Sequence, residues 1–266
     1  MSAENAATFH KLHEELLILP NAWDAASARI VQDAGAKAIA TSSAGVAWAQ
    51  GYADGHHFPI ANLIAVVEAT ARAVNIPISC DAEGGYSDDP AQAAHNVGKL
   101  IDAGAVGINL EDGKQPHELH LRKIEAIRAV AEKKGVNLFI NARTDVILKQ
   151  LVPAEQAVEE ALRRAAAIER AGASGLFVPG IADAAEISAV VRGTKLPLNI
   201  IARPGAPAAS KLRELGVRRL SAGTGLFNVA MASAREAAED LLRDGDSEAL
   251  WQRRGSPPDY NKLFAG

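Results

Sequence analysis

Three short stretches carry the side chains that could do chemistry. They are "CDAEGGYSDDP" (80–90) with Asp81 and Glu83, "NLEDG" (109–113) with Glu111 and Asp112, and "NARTD" (141–145) with Arg143 and Asp145. Two carboxylates two residues apart on a strand point the same way and repel unless a cation or a proton lies between them. "GYADG" (51–55) adds Asp54, and "LPLNII" (196–201) adds Asn199 as a candidate for substrate binding, with Arg203 just beyond. Four or five carboxylates facing one strong cation, Arg143, suit a hard divalent ion such as Mg2+, which takes oxygen ligands. The seven histidines do not suggest zinc, because none lies in an HxxxH or HxxEH arrangement. Those in "GHHFP" (55–59) and "PHELH" (116–120) read as solvated or hydrogen-bonded residues of loops and helix starts. Asp88 and Asp89 before Pro90 read as a helix cap.

The elements that must position these residues follow from hydrophobic period. Short apolar or β-branched runs alternate with longer alanine-rich amphipathic stretches, and eight such pairs can be counted. The strand candidates are 16–20, 36–42, 76–81, 106–111, 137–143, 174–178, 196–201 and 217–222. The phrase "DAGAKAIA" (33–40) recurs as "DAGAVGIN" (102–109), "RAGASGLF" (170–177) and, more loosely, "ELGVRRLS" (214–221). In each, a glycine ends a helix and turns the chain into the next strand. This rhythm predicts an α/β fold, a closed (β/α)8 TIM barrel, with a doubly wound open sheet as the alternative. In such a barrel the site lies at the carboxyl ends of the strands, where the acidic stretches fall.

The length of 266 residues predicts one barrel domain over 1–266, with 224–266 as a C-terminal helical extension. A net charge of −4 without a basic stripe argues against nucleic acid as a partner. The start, "MSAENAATFHKLHEELLILP", fits neither a signal peptide nor a membrane span, so a cytoplasmic protein without a membrane partner is expected. The lone cysteine, Cys80, excludes an intrachain disulfide. Strand alternation turns it away from the face of Asp81, as a small buried residue.

The stretches "CDAEGGYSDDP", "GAVGINLEDG" and "NARTD", with "ATSSAGVAWAQGYADG" (40–55), resemble the isocitrate lyase and phosphoenolpyruvate mutase superfamily in order and spacing. The resemblance implies that Asp81 holds Mg2+ directly and that Glu83 and Glu111 bind it mainly through water. It implies that Arg143 grips the substrate carboxylate and that the loop of Ser42, Ser43 and Ala44 helps through backbone N–H groups. Asp54 is similar to a further acid given structural or nucleophilic roles in different members. The last helix would be swapped between subunits of a homodimer or homotetramer.

The chain departs from two branches of that superfamily. The segment after Glu111, "DGKQPHELH" (112–120), lacks the cysteine of the isocitrate-cleaving lyases, and Gly180 stands where methylisocitrate lyases carry a glutamate. Gly113 stands where the phosphonomutases carry a lysine, with Lys114 displaced by one. The expected function is therefore Mg2+-dependent C–C cleavage of a small 2-oxo or 2-hydroxy acid through an enolpyruvate-type intermediate, by a lyase or decarboxylase. The alternatives are a phosphonomutase (phosphoenolpyruvate mutase or carboxyphosphonoenolpyruvate phosphonomutase) or hydrolase acting at a P–C or P–O bond, and an inactive barrel that binds 2-oxo acids.

Overall fold

The computed structural model describes residues 2–265. Nine parallel strand segments form one sheet: β1 (Leu17–Leu19), β2 (Asn21–Ala22), β3 (Ile39–Thr41), β4 (Ile78–Asp81), β5 (Gly107–Glu111), β6 (Phe139–Arg143), β7 (Gly175–Phe177), β8 (Leu198–Ile201) and β9 (Arg219–Ser221). The first two are halves of one strand interrupted at Pro20, which has no N–H to give a ladder. The first half pairs with β9 (Leu17 opposite Arg219) and the second with β3 (Ala22 opposite Thr41), so the sheet closes into an eight-stranded barrel. All eight expected strands are present, most of them shorter than their apolar runs.

The helices are α1 (Ser2–Leu12), α2 (Ala25–Asp33), α3 (Ser43–Ala49), α4 (Ile60–Ala73), α5 (Pro90–Asp102), α6 (His117–Lys133), α7 (Ala157–Arg170), α8 (Ala184–Gly193), α9 (Ala209–Glu214), α10 (Gly225–Asp244), α11 (Ser247–Arg254) and α12 (Tyr260–Phe264). Asp89 caps α5, its carboxylate accepting from Ala91 N–H at 3.1 Å, with Pro90 in the first turn as expected. The repeat glycines Gly35 and Gly104 have φ of 98° and 114°, a backbone that a side chain would resist. The main core lies between strands and helices and includes Leu100, Ile124, Ile127, Ile168 and Val190, all fully buried. Each such side chain contributes about 1.5–3 kcal/mol on burial.

Helix α1 closes the amino end of the barrel. Phe9 is fully buried and meets Phe139 edge-on with ring centroids 5.4 Å apart, while His13 stacks on Phe139 at 4.0 Å. A Cβ on Gly107 would lie 2.6 Å from the Phe9 ring, so glycine makes room for the plug. Burial pushes the His13 ring down to about 3, and its Nδ1–H donates to the Phe9 carbonyl at 2.8 Å. Above it, Arg219 is 1% exposed, and it donates from Nη2 to Asn109 Oδ1 at 3.1 Å.

The C-terminal segment is packed differently. On α10 Phe227 is buried, edge-on to Trp23 at 5.2 Å, but Val229 is 66% and Leu242 85% exposed. α11 folds back on α10 through Arg253, which pairs with Glu236 at 2.7 Å and Asp240 at 2.6 Å. An apolar groove of about 680 Å3 runs beside Ile18, Ile30, Leu226 and Val229. None of the described helices is long and apolar enough to cross a membrane.

Candidate active site

Asp81 is the last residue of β4. Its N–H donates to Thr41 Oγ1 at 2.8 Å, and its carboxylate receives the N–H groups of Ser43 and Glu83, both at 3.4 Å. Strand alternation predicted that Asp81 and Glu83 share a face. The strand in fact ends at Asp81, and Glu83 is swung back by a left-handed backbone, φ 46°. Gly85 follows at φ 85°, where a Cβ would lie 2.8 Å from the Ala93 side chain. The convergence of the two acids is made by a turn.

Glu83 is 4% exposed and held on three sides. The Tyr86 hydroxyl donates to Oε1 at 2.8 Å, and the His56 N–H donates to Oε2 at 2.5 Å. Gly84 N–H donates to His56 Nε2 at 2.9 Å, so a neutral His56 keeps its proton on Nδ1, 3.4 Å from the same carboxylate oxygen. His56 and Tyr86 are left-handed as well, with φ of 65° and 57°. Left-handed non-glycine residues cost about 1–3 kcal/mol each and persist only where their surroundings hold them. Here two of them flank the carboxylate of the third.

Glu111 N–H donates to the Glu83 carbonyl at 2.8 Å, which ties the second acidic stretch to the first. The Glu111 carboxylate meets Arg143 Nη1 at 2.9 Å, and Arg143 Nε meets Asp145 Oδ1 at 2.7 Å. Fully buried Asp145 thus fixes one edge of the guanidinium and leaves Nη1 with Glu111. Lys149 completes the chain, its Nζ 2.6 Å from Asp145 Oδ2. A Cβ on Gly113 would lie 3.5 Å from that ammonium, so the lysine lies close against the loop after β5.

Burial raises the pKa of Asp81 and Glu83, and pushes Glu111 up to about 7 against the pull of Arg143. Burial alone would lower Arg143, but Glu111 and Asp145 outweigh it and raise it. One guanidinium therefore does not compensate the acids, and an oxygen-only donor set of this kind fits a hard divalent ion.

The other expected residues are placed as follows. Ser42 caps α3, its Oγ accepting from Gly45 N–H at 3.3 Å, and Ala44 is buried beside it. Asn199 is buried in the barrel, where its Oδ1 accepts from the Ser221 hydroxyl at 3.3 Å, and Arg203 donates to the Gly180 carbonyl at 2.9 Å. Asp54 is exposed in the loop between α3 and α4, and it is His56, two residues on, that reaches the acids. Cys80 is fully buried beneath the site, and burial pushes its thiol up to about 12. His56 was missed because nothing local marks it; Lys149 was missed although it stands four residues after Asp145. His117 departs from the expectation of a solvated or hydrogen-bonded residue: it is buried, and neither ring nitrogen has a partner.

The carboxyl mouth of this (β/α)8 barrel gathers acids around one arginine, at the end where barrel enzymes carry their sites. The chain belongs to the phosphoenolpyruvate phosphomutase family, which matches residues 9–242. An uncharacterized protein of Mycobacterium tuberculosis is 34% identical over 242 residues, 90% of either chain. A crystal structure from Burkholderia cenocepacia J2315, provisionally described as a phosphonomutase, is 40% identical, covers 89% of this chain and 99% of its own, and superposes with a TM-score of 0.85. The carboxyvinyl-carboxyphosphonate phosphorylmutase of Arabidopsis thaliana is 30% identical over 285 residues, 96% of this chain and 80% of its own. Other relatives carry the names 2-methylisocitrate lyase and oxaloacetate decarboxylase, from Corynebacterium glutamicum and Ectopseudomonas mendocina. The family thus spans lyases, decarboxylases and mutases.

Proposed function

We propose that this protein is a Mg2+-dependent enzyme that cleaves a C–C bond in a small 2-oxo or 2-hydroxy carboxylic acid through an enolpyruvate-type intermediate. The observation that carries the reading is the set of Asp81, Glu83 and Glu111, acids whose burial favours protonation while one guanidinium faces them. In this reading Asp81 holds the ion directly, and Glu83 and Glu111 hold its waters. When bound, the ion supplies Lewis-acid stabilisation of charge developing on the enolate oxygen. Arg143, oriented by Asp145, binds the substrate carboxylate with its planar fork. The backbone of Ser42, Ser43 and Ala44 lines the carboxylate site, Asn199 is a further substrate contact, and Asp54 is the acid that its exposed loop carries toward the substrate. The loop after β5 offers no thiol, which favours decarboxylation of oxaloacetate or cleavage of a substituted malate over isocitrate cleavage.

A second reading is phosphonomutase or phosphonate hydrolase chemistry, supported by the names of the Burkholderia and Arabidopsis relatives. Purified protein would be assayed with Mg2+ and with EDTA against oxaloacetate, dimethylmalate, methylisocitrate, phosphonopyruvate and phosphoenolpyruvate. Metal-dependent pyruvate release from oxaloacetate, or cleavage of dimethylmalate, is expected. Turnover confined to the phosphorus compounds would replace the first reading with the second. Oxalate binding without any turnover would leave an inactive 2-oxo-acid-binding barrel.

We also propose that α10 to α12 cross to a second copy in a homodimer or homotetramer. Ile18, on a barrel strand that a helix should cover, is 55% exposed beside the apolar groove, while the exposed face of α10 needs a surface. Light scattering of the intact chain should give a multimer, and Val229→Glu should lower its mass; a monomer in both would end the idea.

A further inference from the structure

Asp112, the residue after β5, and His117 and His120, in the first turn of α6, form a cluster that shares no residue with the oxygen-only set around Asp81. All three are buried, and each offers one ligand atom within 4.8 Å of the others. His120 Nε2–H donates to the Leu110 carbonyl at 3.0 Å, so the lone pair sits on Nδ1, which is buried without a partner. Both nitrogens of His117 are buried and unpartnered too. Buried polar atoms are ordinarily paired, so three unpaired ring nitrogens beside one carboxylate call for an occupant.

We propose that Asp112, His117 and His120 form a second metal site, for a divalent transition ion of the zinc class. Two imidazoles and one carboxylate are the donor set of Zn2+, Co2+ or Ni2+, and a poor one for Mg2+. Spacing of three residues puts both rings on one face of α6. The bond from His120 to the Leu110 carbonyl is the outer contact that orients a ligating histidine and fixes its tautomer. Burial lowers the pKa of both rings, which favours the neutral form a metal takes.

Asp112 already accepts three hydrogen bonds, from Thr144 Oγ1 at 2.8 Å, Asp145 N–H at 2.9 Å and Arg164 Nη1 at 2.6 Å. A carboxylate has about four acceptor positions, so one remains for the ion. Arg164 is the competing cation. It is also held by Glu160, whose Oε1 accepts from Nε at 2.8 Å, so it keeps a partner when the ion takes its share of Asp112. The repulsion makes the ion exchangeable rather than locked in. Bound, it clasps the end of β5 to the start of α6 across residues 113–116, and it steadies the carboxylate that receives the Asp145 N–H.

The test uses Co2+ as the probe on the full chain, stripped with a chelator and then kept in a large excess of Mg2+ to saturate the mouth. Calorimetry and visible absorption should show one equivalent of Co2+ in a low-coordinate site. Binding should be lost in His120→Ala and in His117→Ser, which keeps a good residue at the helix start, and should tighten in Arg164→Gln. Asp81→Ala should keep the Co2+ spectrum while losing Mg2+-dependent oxalate binding, which separates this site from the mouth. Circular dichroism establishes that each variant is folded. Absence of stoichiometric Co2+ binding, or equal affinity in a folded histidine variant, overturns the proposal.

Discussion

At its carboxyl end the barrel carries Asp81, Glu83, Glu111 and Arg143 on segments where three non-glycine residues are left-handed, whereas its amino end is closed by one helix whose Phe9 and His13 pack on Phe139. Both ends bury polar groups. The mouth buries acids whose protonation burial favours, and so holds an unmet demand for a cation. The floor buries His13, stacked on Phe139 and donating to the Phe9 carbonyl. Backbone strain and gathered acids at one end and aromatic packing at the other set the mouth apart from the floor.

The division can be broken by substitution. Asp81→Ala should abolish Mg2+-dependent binding of oxalate in calorimetry while leaving the melting temperature equal or higher, because a buried acid is removed. Unchanged oxalate affinity would take Asp81 out of the proposed metal site. At the floor, Gly107→Ala should do the reverse, costing about 1–3 kcal/mol of stability by pressing a methyl into Phe9, with KM unaltered; urea titration and kinetics measure the two. Arg143→Lys keeps the charge but loses the fork, and should cost about 1.5–3 kcal/mol in oxalate binding. A loss of only a few tenths would make Arg143 a structural partner of Asp145.

The pH dependence of the floor sharpens the contrast. Below 6.5 the unfolded chain protonates His13 while the folded chain refuses the proton until about 3. Its contribution is therefore complete above pH 6.5 and is lost as pH falls toward 3, at up to about 1.4 kcal/mol per pH unit. His13→Phe should flatten that part of the acid limb in urea titrations and leave turnover at pH 7.5 within a few-fold. The smallest effect is expected for Cys80→Ala: about 1 kcal/mol of stability, and turnover close to wild type. A thousandfold fall in kcat in the folded variant would restore a thiol mechanism.

The barrel was legible because its strands are apolar runs and its helix ends repeat the same glycine phrase. Asp81, Glu111 and Arg143 were legible for a related reason, each being the last residue of a strand. Glu83 was found through a wrong geometry, since alternation stops one residue too soon. His56 carries no periodic signal and matters only because a loop distant in sequence folds over Glu83, whereas Lys149 pairs with Asp145, four residues before it. The pair at 117 and 120 escaped because its spacing is three, whereas the arrangements sought were HxxxH and HxxEH. A plug such as α1 is invisible to local reading, because its complement is a missing side chain at Gly107.

That plug also has a consequence for the order in which the chain can be completed. Phe9 is made well before its seat, which is built from Gly107, Phe139 and the guanidinium of Arg219, 6.0 Å from its ring. Leu17 likewise waits for Arg219 before β1 has a neighbour on that side. Synthesis must pass nearly the whole barrel before its opening segment can dock. Until then the apolar face of that segment is uncovered, a hazard that comes with pairing segments far apart in sequence. Helix α1 is therefore made before the barrel and placed after it.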